Sequence, residues 1–175
     1  MPEFLVISIA LFLAWLFAMA GFHKLRSPSW YAGLISRYLD VQKLSRSLLV
    51  VVAISELTCA ALLLFNETRV LGLAFAAVLL VAYAALMMVQ LQRGRADMNC
   101  GCAGPASDTS ISPGLVYRNL VCAVIAVMAA ALPLQSVDWS LSLLVTSGLV
   151  SVFLALVYVA CEQLIANAQR FSGAF

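Results

Sequence analysis

The sequence predicts an all-α, multi-pass membrane protein: a helical bundle of about five transmembrane helices, with an interfacial helix after the first. Of its 175 residues, 64% are hydrophobic and only 10% are charged, whereas a soluble domain is roughly half apolar and about a quarter charged. One core of this size cannot bury so many apolar side chains, so their solvent must be lipid. We expect a single transmembrane domain over residues 1–175.

The predicted spans follow the long apolar runs of the chain. Backbone polar groups in lipid must be satisfied within their own segment, so each run is predicted to be a helix. The first run is preceded by Glu3 and by no Lys or Arg, which is unlike a signal peptide, and we expect it to stay in the mature protein. The spans cover residues 4–22, 47–65, 69–91, 113–132 and 140–163.

Two Ser-Pro pairs predict where helices begin. Ser112 before Pro113 fits an N-cap followed by proline at the first helical position, and Ser27 before Pro28 fits the same pattern. The segment "SPSWYAGLISRYLD", which begins at Ser27, is too polar to span a membrane. Its aromatic and aliphatic residues recur at helical spacing, which favours a helix in the membrane interface.

Basic residues predict the orientation in the membrane. One face of the predicted topology holds nine Lys and Arg residues and the other holds Arg69 alone. Because cytoplasmic loops carry the excess of Lys and Arg, this bias predicts an outside N-terminus and a cytoplasmic cysteine loop at about 92–112. The nine are Lys24, Arg26, Arg37, Lys43, Arg46, Arg93, Arg95, Arg118 and Arg170. A net charge of +2 gives no indication of a nucleic-acid partner.

The stretch "DMNCGCAG" places Cys100 and Cys102 one glycine apart in a polar loop. Such a pair can close into a strained, easily reduced disulfide suited to exchange, and Arg93 and Arg95 nearby favour a thiolate. Two other interpretations stay open. The pair can be a structural staple, or it can bind a soft metal such as Cu(I) or zinc, with Met98 as a further ligand.

The remaining cysteines differ in their depth within the predicted helices. Cys122 and Cys161 belong to the membrane face that carries the Cys-Gly-Cys loop, so they are candidates for the inner thiols of a redox relay. Space filling between helices explains them equally well. Cys59 lies in the far half of its helix and is predicted to be an ordinary buried residue.

Three ionisable residues complete the candidate catalytic set. Glu56 is the only acid well inside a predicted span, where an ionisable group is costly and marks a functional site by default. Arg118 or His23 is its predicted partner. His23 is also the sole histidine and a candidate proton carrier beside thiols, although an interfacial role explains it too. Snorkelling to lipid headgroups is the alternative for Arg118.

These motifs resemble those of a known family. "CGCAG", followed by "ISPGLVYRNL", resembles the MauE family of methylamine-utilisation membrane proteins, and "GFHKLRSPSWYAGLISRYLD" with "SELTCAALLLF" is similar to the wider DoxX-like membrane group. Ala103 stands where the motif is expected to have an aromatic residue. The resemblance covers most of the chain.

The resemblance implies a multi-pass inner-membrane protein of methylotrophic bacteria. Family members are associated with maturation of the disulfide-rich small subunit of methylamine dehydrogenase, alongside the thioredoxin-like protein MauD. It therefore implies that Cys100 and Cys102 exchange disulfides with such a partner. That substrate is periplasmic, however, whereas the charge bias places the loop in the cytoplasm, and the two expectations conflict.

The leading hypothesis is a membrane thiol–disulfide redox protein, a candidate oxidoreductase, that supports maturation of a partner protein. The alternatives are a non-catalytic assembly partner and a soft-metal-binding membrane protein. No bound cofactor is predicted from the residues. A quinone in a cleft between helices stays open as a candidate, because membrane thiol oxidases commonly pass electrons to one.

Overall fold

The computed structural model describes residues 2–39, 45–101, 104, 109–132 and 140–172. Cys102 and Ala103 of the predicted site, and Lys43 of the charge count, lie outside the described residues. In the described ranges the chain forms α1 (Pro2–Arg26), α2 (Pro28–Leu39), α3 (Ser45–Leu64), α4 (Arg69–Gln92), α5 (Pro113–Ala131) and α6 (Leu141–Ser172).

All these helices except α2 are long and apolar enough to cross a membrane, which confirms the predicted all-α fold and its five spans. The largest difference from the prediction is at α6, which has 32 residues and ends at Ser172. At 1.5 Å per residue this helix is longer than a hydrocarbon core of about 30 Å. The helix is therefore longer than one crossing requires, and its apolar candidate span reaches Gln169.

The proline signals mark helix starts as predicted. Helix α2 begins at Pro28, and the Ser27 carbonyl accepts a hydrogen bond from the Tyr31 amide at 3.2 Å. Helix α5 begins at Pro113 after an extended Ser112. Ser112 occupies the N-cap position, but its side chain makes no capping hydrogen bond, so proline and backbone geometry alone define this start.

The core lies among α1, α3, α4 and α5. Helix α4 packs along α5, and α1 packs along α3. Buried apolar side chains such as Leu13, Phe17, Leu63 and Leu73 fill the space between them. Helix α6 packs mainly on α1 and leaves most of its side chains exposed on the outside of the bundle. The short helix α2 packs on α3, at the end of the bundle that carries the cysteine loop.

Candidate functional site

Short backbone pairing fixes Cys100. Asn99 and Ser110 form an antiparallel bridge. The Cys100 amide donates to the Thr109 carbonyl at 3.1 Å, and the Ile111 amide donates to the Met98 carbonyl at 2.9 Å. The two ends of the cysteine loop are therefore paired with each other by backbone hydrogen bonds. This pairing holds the backbone of Cys100 in place.

Helix α2 makes hydrogen bonds to the first half of this loop, at Asn99 and Gly101. The Tyr31 hydroxyl donates to the Gly101 carbonyl at 3.1 Å, and the Tyr38 hydroxyl donates to the Asn99 carbonyl at 3.3 Å. Tyr31 is only 2% exposed. The aromatic residues that predicted an interfacial helix therefore include two that support the cysteine loop.

The C-terminal part of α6 makes hydrogen bonds to the second half of the loop, at Ser110. The Gln169 amide group donates to the Ser110 carbonyl at 2.9 Å, and the Ser110 hydroxyl donates to the Gln169 side-chain oxygen at 3.2 Å. The apolar run predicts a helix that ends at residue 163, so this contact lies beyond the predicted helix.

Gly101 turns the chain directly after Cys100. Its φ is +74°, and its amide donates to the Asn99 side-chain oxygen at 2.9 Å. A β-carbon at this position would lie 2.5 Å from Leu34 Cδ2. Both the backbone conformation and the close approach of α2 therefore require glycine.

Gly101→Ala is expected to displace the cysteine loop from α2. Gly94→Ala is the matched control, because Gly94 has a similar φ of +72° but no atom within 4 Å of an added β-carbon. Gly94→Ala therefore measures only the free-energy cost of a positive φ at a residue with a β-carbon, about 1–2 kcal/mol. We expect the alkylation rate of Cys100 in the purified protein to rise severalfold in G101A and to stay near wild type in G94A. Equal rates in the two variants would mean that the contact with Leu34 does not position the loop.

The Cys100 thiol lies half-buried beside a thioether. Its Sγ is 3.8 Å from Met87 Sδ. Met98, which the metal hypothesis named as a ligand, is buried in the same apolar cluster as Met87, and Cys100 packs against that cluster. Among the described residues, the sulfur atom that contacts the Cys100 thiol is that of Met87 on α4. Sequence spacing gave no signal for it, because Met87 and Cys100 meet only through the packing of the loop on α4.

Cys100 also lines a cavity of about 170 Å³ between the helices. Most of the wall is apolar, with side chains such as Leu48, Val52 and Leu80. The polar residues of the wall other than Cys100 are Lys24, Tyr31, Tyr38, Glu56, Tyr83, Asn119 and Tyr158. The cavity therefore brings the predicted Cys100 and Glu56 to one space, while neither Cys122 nor Cys161 is in its lining.

Glu56 is fully buried in α3 and pairs with Lys24 of α1. Its Oε1 accepts a hydrogen bond from Lys24 Nζ at 2.7 Å and from the Tyr83 hydroxyl. Lys24 Nζ also lies 5.4 Å from the centre of the Tyr31 ring. The predicted pairing of Glu56 with Arg118 or His23 is therefore wrong. Lys24, at the end of α1, was counted only as a topological charge, although a lysine side chain is long enough to reach back into the bundle.

Arg118 belongs to a different cluster. Its Nη1 lies 3.5 Å from Glu162 Oε2, and its guanidinium lies 4.4 Å from the centre of the Tyr158 ring. Cys122 is buried within electrostatic range of Arg118 and Cys161. Cys161 is itself exposed on the outer surface of α6. The two inner-thiol candidates thus lie on α5 and α6, where Cys122 is buried and Cys161 is exposed.

His23 lies against the cysteine loop. A β-carbon added to Gly104 would be 2.5 Å from His23 Nδ1. That nitrogen is buried and has no hydrogen-bond partner among the described residues. The sole histidine of the sequence therefore lies at the loop, and its role as a proton carrier stays a prediction. Cys59, in contrast, is fully buried, and its thiol faces the Gly72 carbonyl at 3.7 Å, as predicted for a residue that fills space.

Comparison with known proteins identifies the family. The model of the family described as methylamine utilisation protein MauE matches residues 2–132, which include α1 to α5 and the cysteine loop. The chain is 32% identical to the methylamine utilization protein MauE of Methylophilus methylotrophus, over 89% of this chain and 83% of that protein. It is 31% identical to the protein of the same name from Paracoccus denitrificans, over 90% of this chain and 85% of that protein. No solved structure matches significantly. The chain belongs to the MauE family of methylamine-utilisation proteins.

Proposed function

We propose that this chain is an inner-membrane thiol–disulfide redox protein that supports maturation of a disulfide-containing partner in methylamine utilisation. The observation that carries the proposal is the setting of Cys100. Its backbone is fixed by pairing, and its thiol lines an apolar cavity. A reactive cysteine needs a defined position with partial access, whereas a cysteine that only fills space is fully enclosed.

The proposed chemistry is exchange between Cys100, Cys102 and a dithiol in the partner. A thiolate of the partner attacks the Cys100–Cys102 disulfide and forms a mixed disulfide. The second thiol of the partner then attacks this mixed disulfide and releases the reduced cysteine pair. The partner gains one disulfide. Cys100 and Cys102 take up two electrons and two protons and become two thiols. His23, whose ring lies against the loop, is the proposed proton carrier for this exchange.

The names of the relatives support the pathway, and the family resemblance supports the partners. A thioredoxin-like protein of the MauD type is the proposed exchange partner, and the small subunit of methylamine dehydrogenase is the proposed final substrate. The charge bias supports a cytoplasmic loop, in which case electrons must cross the membrane to serve a periplasmic substrate.

The experiment that tests this function measures the redox state of Cys100 and Cys102 in living cells. Cells are quenched in acid and alkylated, and the mass of the peptide that carries Cys100 and Cys102 is measured. We expect a mixed population that shifts when the thioredoxin-like partner is deleted, while Cys59 stays reduced throughout as the internal control. A loop fixed in one state under all conditions would contradict exchange. The same labelling with a membrane-impermeant reagent reports the side on which the loop lies.

The contact between Cys100 and Met87 favours a second candidate, Cu(I) handling, because thiolate and thioether sulfur are ligands that Cu(I) prefers. Met87→Leu separates the two functions, since leucine keeps the apolar volume and removes the second sulfur. Copper that copurifies with the reduced wild-type protein and is lost in M87L would favour metal handling. A copper-free protein with an unchanged redox distribution in M87L would favour exchange.

A further inference from the structure

Two buried polar groups in the cavity wall have no hydrogen-bond partner among the described residues. One is an acceptor, the Oε2 atom of Glu56, and the other is a donor, the Nδ2 group of Asn119. Glu56 is 0% exposed and Asn119 is 2% exposed. Such unpaired groups are rare in native proteins, and each calls for an explanation. A ligand that accepts a hydrogen bond from Asn119 and, in at least one of its states, donates one to Glu56 would satisfy both groups.

We propose that the cavity binds an isoprenoid quinone, which accepts the electrons of the Cys100 dithiol. The proposal rests on the proposed function for its electron donor. Its binding site rests on Glu56, Asn119 and the apolar wall alone.

The chemistry of the wall selects this class of ligand. A quinone carbonyl accepts a hydrogen bond from Asn119, and once reduced the same ring presents hydroxyl groups that donate to the Glu56 carboxylate. An acyl chain would leave both groups unpaired. An anionic lipid headgroup would lie beside the Glu56 carboxylate, whose lysine partner is already engaged at 2.7 Å. A neutral head with two oxygens is the chemistry that fits.

The size of the cavity agrees with a ring as its occupant. Its volume is about 170 Å³, and an apolar cavity of about 150 Å³ holds one benzene ring. The isoprenoid tail is as apolar as the surrounding helices and belongs in the bilayer. Cys100 lines the same cavity, so a ring bound there would share the cavity with the thiol.

The oxidation of the dithiol and the reduction of the quinone balance in electrons and protons. Two S–H bonds break, one S–S bond forms between Cys100 and its partner cysteine, and two electrons and two protons pass to the quinone. The quinone becomes a quinol, and the dithiol becomes the disulfide that the proposed exchange consumes.

The test is binding of two soluble probes, decylubiquinone and menadione, to the purified full chain in nanodiscs. Quenching of tryptophan fluorescence reports binding, because Trp30 packs on Tyr31, a residue of the wall, with ring centres 4.8 Å apart. We expect saturable binding of at least one probe. Asn119→Leu is expected to weaken it about tenfold, the effect of one lost hydrogen bond. The variant should melt at the same or a higher temperature, because the buried amide it removes is unpaired.

A pair of variants tests the cavity without touching its polar groups. Val52→Phe fills the cavity from α3, whereas Ile54→Phe places the same ring on the exposed face of the same helix. Neither variant adds a tryptophan to the fluorescence signal, and we expect V52F to abolish probe binding and I54F to keep it. Equal affinity in wild type, N119L and V52F, or no saturable binding of either probe to the wild type, would overturn the quinone site.

Cys100→Ser separates this inference from the proposed function. The variant should still bind the probe saturably but produce no quinol. Quinol formation is measured as a loss of quinone absorbance, which the reduced wild-type protein should show and C100S should not. If C100S binds the probe while the loop never changes its redox state in cells, the quinone site stands and the exchange function fails. If the loop cycles in cells while the purified chain binds neither probe, the exchange function stands and the quinone site fails.

Discussion

Cys100→Ser is expected to abolish the ability of this chain to support growth on methylamine. The assay uses a methylotrophic strain whose own MauE protein is deleted and which carries this chain as the replacement. Serine has nearly the shape of cysteine but forms no disulfide, so no exchange cycle can be completed. The hydrogen bonds that hold residue 100 are made by its backbone, so the variant should reach the membrane at the wild-type level, which an immunoblot checks.

The remaining cysteines provide the controls for this result. Cys59→Ser keeps a small side chain that can donate to the Gly72 carbonyl, and it is expected to support growth. Cys122→Ser and Cys161→Ser test the candidate inner thiols, which do not line the cavity. Full growth with C100S and with C102S would contradict the redox role. It would favour the non-catalytic assembly partner, in which the helices recruit a thioredoxin-like protein.

The sequence predicted the membrane fold well because hydropathy alone selects it. Long apolar runs have few alternatives to the helix in lipid, and the proline signals placed the starts of α2 and α5. The end of α6 was missed because the tail "QLIANAQRFS" is too polar to be read as a span. Tertiary contacts, such as the pair of hydrogen bonds between Gln169 and Ser110, show why that tail is helical beyond the apolar run.

The candidate site was only partly predictable. Composition identified Glu56, since a lone acid inside an apolar run is unusual, and spacing identified Cys100. The partner of Glu56 was not predictable, because it depends on how α1 is placed against α3. The cavity was not predictable for the same reason. Its wall is assembled from residues such as Lys24, Tyr83 and Asn119, which lie on three different helices.

Lys24→Met is expected to lower the free energy of unfolding by about 3–5 kcal/mol. Methionine keeps most of the length of the lysine stem but removes the ammonium group, and the fully buried Glu56 then keeps only the Tyr83 hydroxyl as a described partner. An uncompensated charge inside a membrane protein is costly. The measurement is reversible unfolding of the purified protein by titration with sodium dodecyl sulfate in mixed micelles.

Arg26→Met is the matched control, because Arg26 is an exposed basic residue in the same last turn of α1. Its effect should stay within about 0.5 kcal/mol. The double variant K24M/E56Q removes both charges together, and we expect it to recover most of the lost stability, as a coupled pair requires. If K24M and R26M unfold alike, or if the effects of K24M and E56Q simply add, the two groups are not coupled.

A stable K24M/E56Q protein also separates folding from binding. If the pair only joined α1 to α3, two neutral side chains of similar size would replace it with little loss, as often happens with buried ion pairs. The amide that replaces the Glu56 carboxylate would still accept a hydrogen bond but carry no charge. A double variant that folds like the wild type yet no longer supports growth would therefore show that the buried ion pair of Lys24 and Glu56 is needed for the chemistry of the cavity and not for folding.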